Sequence, residues 1–208
     1  MVDNKKIIEI LHSIATVIEE NNSFLTELDN VIGDGDHGIN MARGFTEVEK
    51  KMDTLADKDI GAILKSVGMT LVSTVGGASG PLYGTAFMKA GTAIGAKTDM
   101  TIDDFIAGLN AAIDGVKMRG HSTTEEKTML DAMVPALNAM KDTISAGQRD
   151  TSLVLSTGVA AAKSGVEHTK DLIATKGRAS YLGERSLGHQ DPGATSFTLI
   201  LETICNNL

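Results

Sequence analysis

Thr101-Ile102-Asp103-Asp104-Phe105-Ile106-Ala107-Gly108-Leu109-Asn110-Ala111-Ala112-Ile113-Asp114-Gly115-Val116 is the stretch that decides the fold class. Ile102, Phe105, Leu109, Ile113 and Val116 recur at the spacing of one helix face, and Thr101 with Asp104 is set as a capping box. The same period returns on both sides. Toward the N-terminus it runs through Ile7, Leu11, Ile14 and Ile18, then Met41, Phe45, Val48 and Met52, then Ile60, Ile63, Val67 and Leu71. Toward the C-terminus it continues in Met129, Met133, Leu137, Met140 and Ile144. An Ala-rich stretch from Asp150 to Lys176 reads as one long helix, interrupted or not, and a last helix runs from Pro192 to about Asn207. Pro81 and Pro192 fall near helix starts, where a missing N–H is harmless. No stretch alternates as a strand does. The expectation is an all-α fold of about eight antiparallel helices, undivided over residues 1–208.

Composition narrows the function. The 208 residues carry 27 acidic and 19 basic side chains, and a net charge of −8 argues against nucleic acid as the main ligand. With no Trp, two Tyr and five Phe, the core must be aliphatic. A single Cys, Cys205, excludes an intramolecular disulfide and suits a reducing compartment. Lys5 and Lys6 before Ile7 to Ile18 imitate a signal peptide, but Glu9 and His12 interrupt the apolar run. Ser66 to Met88 is uncharged and long enough to span a bilayer, yet it holds five Gly, one Pro and six Ser or Thr. Neither segment reads as a membrane or export signal.

Three loops could carry chemistry. In Val31-Ile32-Gly33-Asp34-Gly35-Asp36-His37-Gly38, preceded by Asp29, the glycines match G-x-G-x-x-G. Asp34 and Asp36 would set negative charges beside a pyrophosphate, and no adequate strand precedes them, so a dinucleotide loop fails. An EF-hand fails too, because its Gly and closing Glu positions fall on Ile39 and Phe45. Three carboxylates forced together call for hard cations, which favours metal-bridged polyphosphate at the helix start His37 to Asn40; a solvated Asp/Gly turn is the alternative. The second loop, Ser73 to Gly84 with Gly76-Gly77-Ala78-Ser79-Gly80-Pro81, offers free N–H groups and a hydroxyl, or simply a tight turn between helices. No Gly is followed by Lys, which excludes a P-loop NTPase. The third, Lys176 to Gly193, concentrates Lys176, Arg178 and Arg185 in a connection long enough to imply function. His12 and His168 read as surface residues, Cys205 as an inert small hydrophobe, and no nucleophile–base constellation is present. Eleven of the 22 Gly fall in Gly33–Gly38, Gly76–Gly84 and Gly177–Gly193, which reads the glycine content as mainly ligand loops.

Taken together, Asp29-x₄-Asp34-x-Asp36-His37-Gly38-x-Asn40, Gly76 to Leu82, Lys127-Thr128-Met129-x-Asp131, Gly177-Arg178-Ala179-Ser180-Tyr181 and Gly188 to Ala194 resemble the nucleotide-binding L subunit of bacterial dihydroxyacetone kinase. The resemblance spans essentially the whole chain. It implies a cytoplasmic barrel of antiparallel helices holding ADP and two Mg²⁺ in the loops at one end. Asp29, Asp34 and Asp36 would be the metal ligands. His37, Gly38, Ile39, Asn40, Ala78, Ser79, Gly120, Met129, Arg178, Asp191, Pro192 and Gly193 would line the nucleotide, with Met129 against the adenine. In kinases of the phosphotransferase-system type the nucleotide stays bound as a coenzyme. An M subunit phosphohistidine rephosphorylates ADP in place, and the γ-phosphoryl passes to dihydroxyacetone on a K subunit. On that picture the chain needs no catalytic base of its own. The phosphotransferase assignment rests on length, because ATP-dependent relatives fuse K-like and L-like domains. An L-type subunit using free ATP, on this or another acceptor, is the alternative. A helical metal-binding scaffold without nucleotide would leave Arg178, Ser79 and the Asp cluster with no shared role.

Overall fold

The capping box at Thr101 forms. The Thr101 hydroxyl accepts the Asp104 N–H at 3.2 Å, and the Asp104 carboxylate accepts the Thr101 N–H at 3.0 Å. The Lys97 ammonium beside Asp104 helps to hold that carboxyl below its ordinary pKa. In the computed structural model, which describes Met1–Leu208, the box opens α7, Ile102–Gly120. The other helices are α1 (Asn4–Glu20), α2 (Asn22–Ile32), α3 (His37–Glu49), the single turn α4 (Met52–Leu55), α5 (Ile60–Thr74), α6 (Ser79–Ile94), α8 (Leu130–Ser145), α9 (Thr151–His168) and α10 (Pro192–Asn206).

Neighbour packing runs from α1 to α3, α5, α6, α7, α8, α9 and α10, and α10 returns to α1. Eight helices therefore close a ring, and the fold is all-α as expected. Short α2 packs against α3 and α10. The apolar stripes point inward: Ile14, Ile18, Phe45, Ile63, Leu71, Val116, Met140 and Leu201 are all essentially sealed from solvent. Each such side chain contributes about 1.5–3 kcal/mol on burial.

The structure departs from the sequence reading in three places. Val2–Asp3 (β1) and Asp99–Met100 (β2) form a two-residue antiparallel pair, too short to show alternation. The helix expected from Asp150 to Lys176 stops at His168 and passes through a 3₁₀ turn, Thr169–Asp171. Beyond that point the backbone is satisfied from elsewhere: the Ala174 N–H donates to the Ser186 hydroxyl and the Thr175 N–H to the Glu126 carbonyl. Glycine also has a second use. A Cβ on Gly68 would lie 2.6 Å from the Gly84 carbonyl oxygen, and one on Gly84 would lie 2.7 Å from that of Gly68, so α5 and α6 touch backbone to backbone. Gly84 thus serves helix packing rather than a ligand loop.

Pro135, inside α8, cannot supply the N–H that would bond the Asp131 carbonyl. Gly165 of α9 sits against that carbonyl, and a Cβ there would come within 2.1 Å of its oxygen. Gly165→Ala is therefore expected to lower stability by about 1–3 kcal/mol through backbone overpacking, despite the better helix propensity of Ala. Gly147→Ala, at φ +89° in open space, should cost about 1 kcal/mol of backbone strain. Urea unfolding midpoints measure both, and a Gly165→Ala chain as stable as the parent would refute the contact.

Candidate functional site

Antiparallel neighbours bring every second connection to the same end of the ring. The α2–α3, α5–α6, α7–α8 and α9–α10 connections enclose a cavity of about 460 Å³. The N-termini of α3, α6, α8 and α10 belong to these connections, so four partial positive charges face one end, and α3, α6 and α10 keep first-turn N–H groups that no side chain caps.

At one side, Asp29, Asp34 and Asp36 each offer a carboxylate oxygen, and these lie within 4.8 Å of one another. Asp29 is buried, and its Oδ2 accepts the N–H groups of Asp36 at 2.9 Å and His37 at 3.1 Å. One carboxylate oxygen thus caps α3 and the other is left to the cluster. Gly35, at φ +72°, makes the turn that brings Asp34 and Asp36 back toward Asp29. From the opposite wall, Arg178 Nε lies 2.7 Å from Asp34 Oδ2 as an ion pair. Arg178 opens a run of 3₁₀ turns, Arg178–Ser186, broken at Gly183 by left-handed backbone. The long loop is therefore ordered by local turns.

Behind the cluster lies a polar chain. His37 Nδ1 is 3.0 Å from the Ser79 hydroxyl and Nε2 is 2.9 Å from the Ser196 hydroxyl, which is 2.7 Å from the Tyr83 hydroxyl. Burial lowers the His37 pKa, against the opposing charges of Asp29 and Asp36, and burial raises that of the Tyr83 phenol. Asp191 caps α10 by accepting the Ala194 N–H at 2.7 Å, and its own N–H donates to the Thr169 hydroxyl at 2.9 Å. Lys127 is buried in a left-handed conformation, φ +59°, with its ammonium donating to the Thr169, Leu172 and His189 carbonyls. Burial lowers its pKa. That ammonium ties the α7–α8 loop to the chain entering α10.

Asp29, Asp34, Asp36, His37, Ala78, Ser79, Gly120, Met129, Arg178, Asp191, Pro192 and Gly193 all line the cavity. Gly38, Ile39 and Asn40 do not: Gly38 packs on Asn22 and Thr26, Ile39 is half exposed, and buried Asn40 accepts from Arg43 Nη2 at 2.5 Å. Sequence reasoning missed Arg119, Ser122 and Tyr83 on the wall, and Ser196 behind it. Only Tyr83 left a signal, one helical turn after Ser79 on the same face. A second cavity, about 150 Å³ between the apolar stripes, offers no charged group to orient a ligand.

Burial pushes the Asp191 carboxyl from 3.8 up to about 7. Between those values the folded chain holds a proton that the unfolded chain has released, so this residue makes stability fall as pH rises from about 4 to 7. Asp131, also raised by burial, adds the same sign. Asp191→Asn keeps a capping acceptor and should flatten that slope in the ligand-free chain, by up to about 1.4 kcal/mol per pH unit. Thermal unfolding across pH 4 to 8 measures it; an unchanged slope would show that Asp191 is ionised throughout.

Comparison with known proteins gives a consistent result. The DAK2 domain family matches residues 31–206. The ADP-binding subunit DhaL of the PEP-dependent dihydroxyacetone kinase of Escherichia coli (strain K12) is 43% identical over 199 residues, covering 96% of this chain and 94% of the relative. The corresponding subunit of kinase 1 from Listeria innocua is 44% identical over 194 residues, covering 93% and 91%. The crystal structure of the dihydroxyacetone kinase of C. freundii superposes with a TM-score of 0.73 at 24% identity, over 97% of this chain and 34% of that one. That likeness establishes the shared helical fold. By domain match, identity and coverage, the chain belongs to the DAK2 domain family, among its DhaL subunits.

Proposed function

We propose that residues 1–208 act as one unit, the ADP-carrying L subunit of a cytoplasmic dihydroxyacetone kinase of the phosphotransferase-system type. The observation that carries this reading is a convergence: carboxylates, an arginine and four helix N-termini, drawn from four separate connections, line a single cavity.

The donor set suits Mg²⁺. Three carboxylates within 4.8 Å repel one another in a chain already at −8, and Arg178 reaches only Asp34. Asp29, Asp34 and Asp36 would hold the cations, two on the family resemblance. Bound cations supply the charge that lets carboxylates and phosphate oxygens share the site. The rest of the site is this chain's own. The first turns of α3, α6 and α10 present to the phosphates the N–H groups of Gly38 and Ile39, of Ala78 and Ser79, and of Gly193, while those of His37, Asn40 and Asp191 are already donated to Asp29, Asp36 and Thr169 and Pro192 has none. Gly38 and Ile39 would contribute through backbone rather than side chain, and Asn40, whose N–H donates to the Asp36 carbonyl at 2.9 Å, would support them from within the helix. Arg178 adds a guanidinium that can leave Asp34 for phosphate. Gly120 and Met129 supply the flat apolar contact that an adenine requires.

When bound, the nucleotide carries a phosphoryl group from a phosphohistidine on an M subunit to dihydroxyacetone on a K subunit. This chain positions it, neutralises its charge and excludes water, and it provides no nucleophile.

With no Trp and two Tyr, the purified chain should show an absorbance maximum near 260 nm if it retains adenine nucleotide through gel filtration in Mg²⁺. Absence of that excess would contradict a resident coenzyme. Asp36→Asn, which leaves the Arg178–Asp34 pair intact, should weaken nucleotide retention at least roughly tenfold. Its helical circular dichroism should be unchanged and its ligand-free stability equal or higher, since one like charge is gone. Undiminished retention in Asp36→Asn would reject the metal-ligand assignment.

A further inference from the structure

The buried chain behind Ser79 has a property that the proposed function does not use. It runs Ser79, His37, Ser196, Tyr83, with consecutive separations of 3.0, 2.9 and 2.7 Å, and it draws on α3, α6 and α10. His37, Tyr83 and Ser196 are buried, and Ser79 is the half-buried end that meets the cavity. We propose that Ser196 and Tyr83 are positioning residues that act through the His37 ring to hold the Ser79 hydroxyl as a hydrogen-bond donor toward an anionic phosphoryl oxygen. The proposal rests on the reading of the cavity as a nucleotide site.

A neutral imidazole has one N–H and one bare nitrogen, and here both nitrogens face hydroxyl oxygens. The Ser196 hydroxyl has three acceptors in reach, the Tyr83 hydroxyl oxygen at 2.7 Å, the Gly193 carbonyl at 3.1 Å and His37 Nε2 at 2.9 Å. If it donates to Tyr83 or Gly193, Nε2 must carry the ring proton and donate to Ser196. Nδ1 is then bare, Ser79 must donate to it, and only lone pairs of Ser79 face the cavity. An anionic oxygen there would be repelled. If Ser196 instead donates to Nε2, the ring proton sits on Nδ1 and donates to Ser79. The Ser79 hydrogen is then free to point at the anion.

Both arrangements contain the same protons and carry the same charge, so ligand charge alone can select between them. Tyr83 biases the choice. Its one hydroxyl hydrogen can go to Ser196 at 2.7 Å, and a hydroxyl that accepts a hydrogen bond becomes a better donor. The alternative for that same hydrogen is the Gly193 carbonyl at 3.3 Å, where it replaces the hydrogen bond that Ser196 gives up. Ser196 does not itself line the cavity, and of its partners His37, Tyr83 and Gly193 only the His37 ring bonds Ser79, so its effect on the Ser79 hydroxyl must pass through the ring.

The test uses ADP with Mg²⁺ as the probe. In ¹⁵N-histidine-labelled protein, two-bond ¹H–¹⁵N spectra distinguish the tautomers, and the His37 signal is the one lost in His37→Gln. The Nδ1-protonated ring is expected in the ADP–Mg²⁺ complex; an Nε2-protonated ring there overturns the proposal without any buried substitution. A mutant cycle supplies the second arm. Ser196→Ala and Tyr83→Phe should each speed ADP release by roughly tenfold, the scale of one hydrogen bond to a charged group. In a Ser79→Ala background each should change it by less than about twofold, because the group they position is absent. Equal effects in both backgrounds would assign the two residues a purely structural role and sink the relay. If the parent chain retains ADP and Ser79→Ala releases it no faster, the relay fails while the nucleotide reading stands. A parent chain that binds no ADP fails the nucleotide reading itself.

Discussion

Helices that alternate in direction around a closed ring can gather their N-termini only at its two ends, and this constraint organises everything else in the molecule. Four connections meet at one end, and four helix starts come with them. Each start carries about half a positive charge, and those of α3, α6 and α10 keep N–H groups free. An electropositive backbone rim therefore exists before any side chain is counted. The ring depends in turn on aliphatic stripes and on glycines that let α5 and α6 touch through their backbones. The cavity is a consequence of packing on the far side of the core.

Acidic side chains then divide the rim between them. Asp29 caps α3 with one oxygen and keeps the other for the cluster, while Asp191 caps α10 from inside the wall. Buried carboxylates are tolerable here because each accepts backbone N–H groups that would otherwise have no partner. The same arrangement explains how a chain of net charge −8 can hold a polyphosphate. Local charge at the rim is set by helix ends, Arg178 and cations, and the charge of the whole surface matters little at that range.

Most of the ring was legible in the sequence because each of its helices buries one continuous stripe. Short α2 was not, since it buries only Leu25, Asp29 and Ile32, too few to establish a period. The end of α9 was also hidden, because what stops it is a set of hydrogen bonds to Ser186 and Glu126, residues far away in sequence. Of the site, the Asp cluster, the Gly-rich turn and Arg178 announced themselves as charge and glycine in unusual concentration. Ser196 did not, because it is an ordinary serine in an apolar helix, and Lys127 stood out only as the first residue of a family motif, with no sign of its role. Only tertiary structure sets Ser196 against an imidazole and aims Lys127 at three carbonyls.

The seam between α1 and α10 has a further consequence, for the order in which the molecule assembles. Along most of the ring each helix packs against its neighbour in sequence, so contacts such as α5 with α6 and α8 with α9 close short loops and can form early and independently. The seam joins the two ends of the chain and carries the largest loop-closure cost. The cavity draws on both sides of it, taking α3 and α6 from one part of the chain and the start of α10 from the other. A chain complete in every hairpin but open at the seam would hold nearly all of its helix and yet have no binding site. Occupation of the cavity thus reports closure of the ring, and a bound ligand acts as a clasp on the last step of folding.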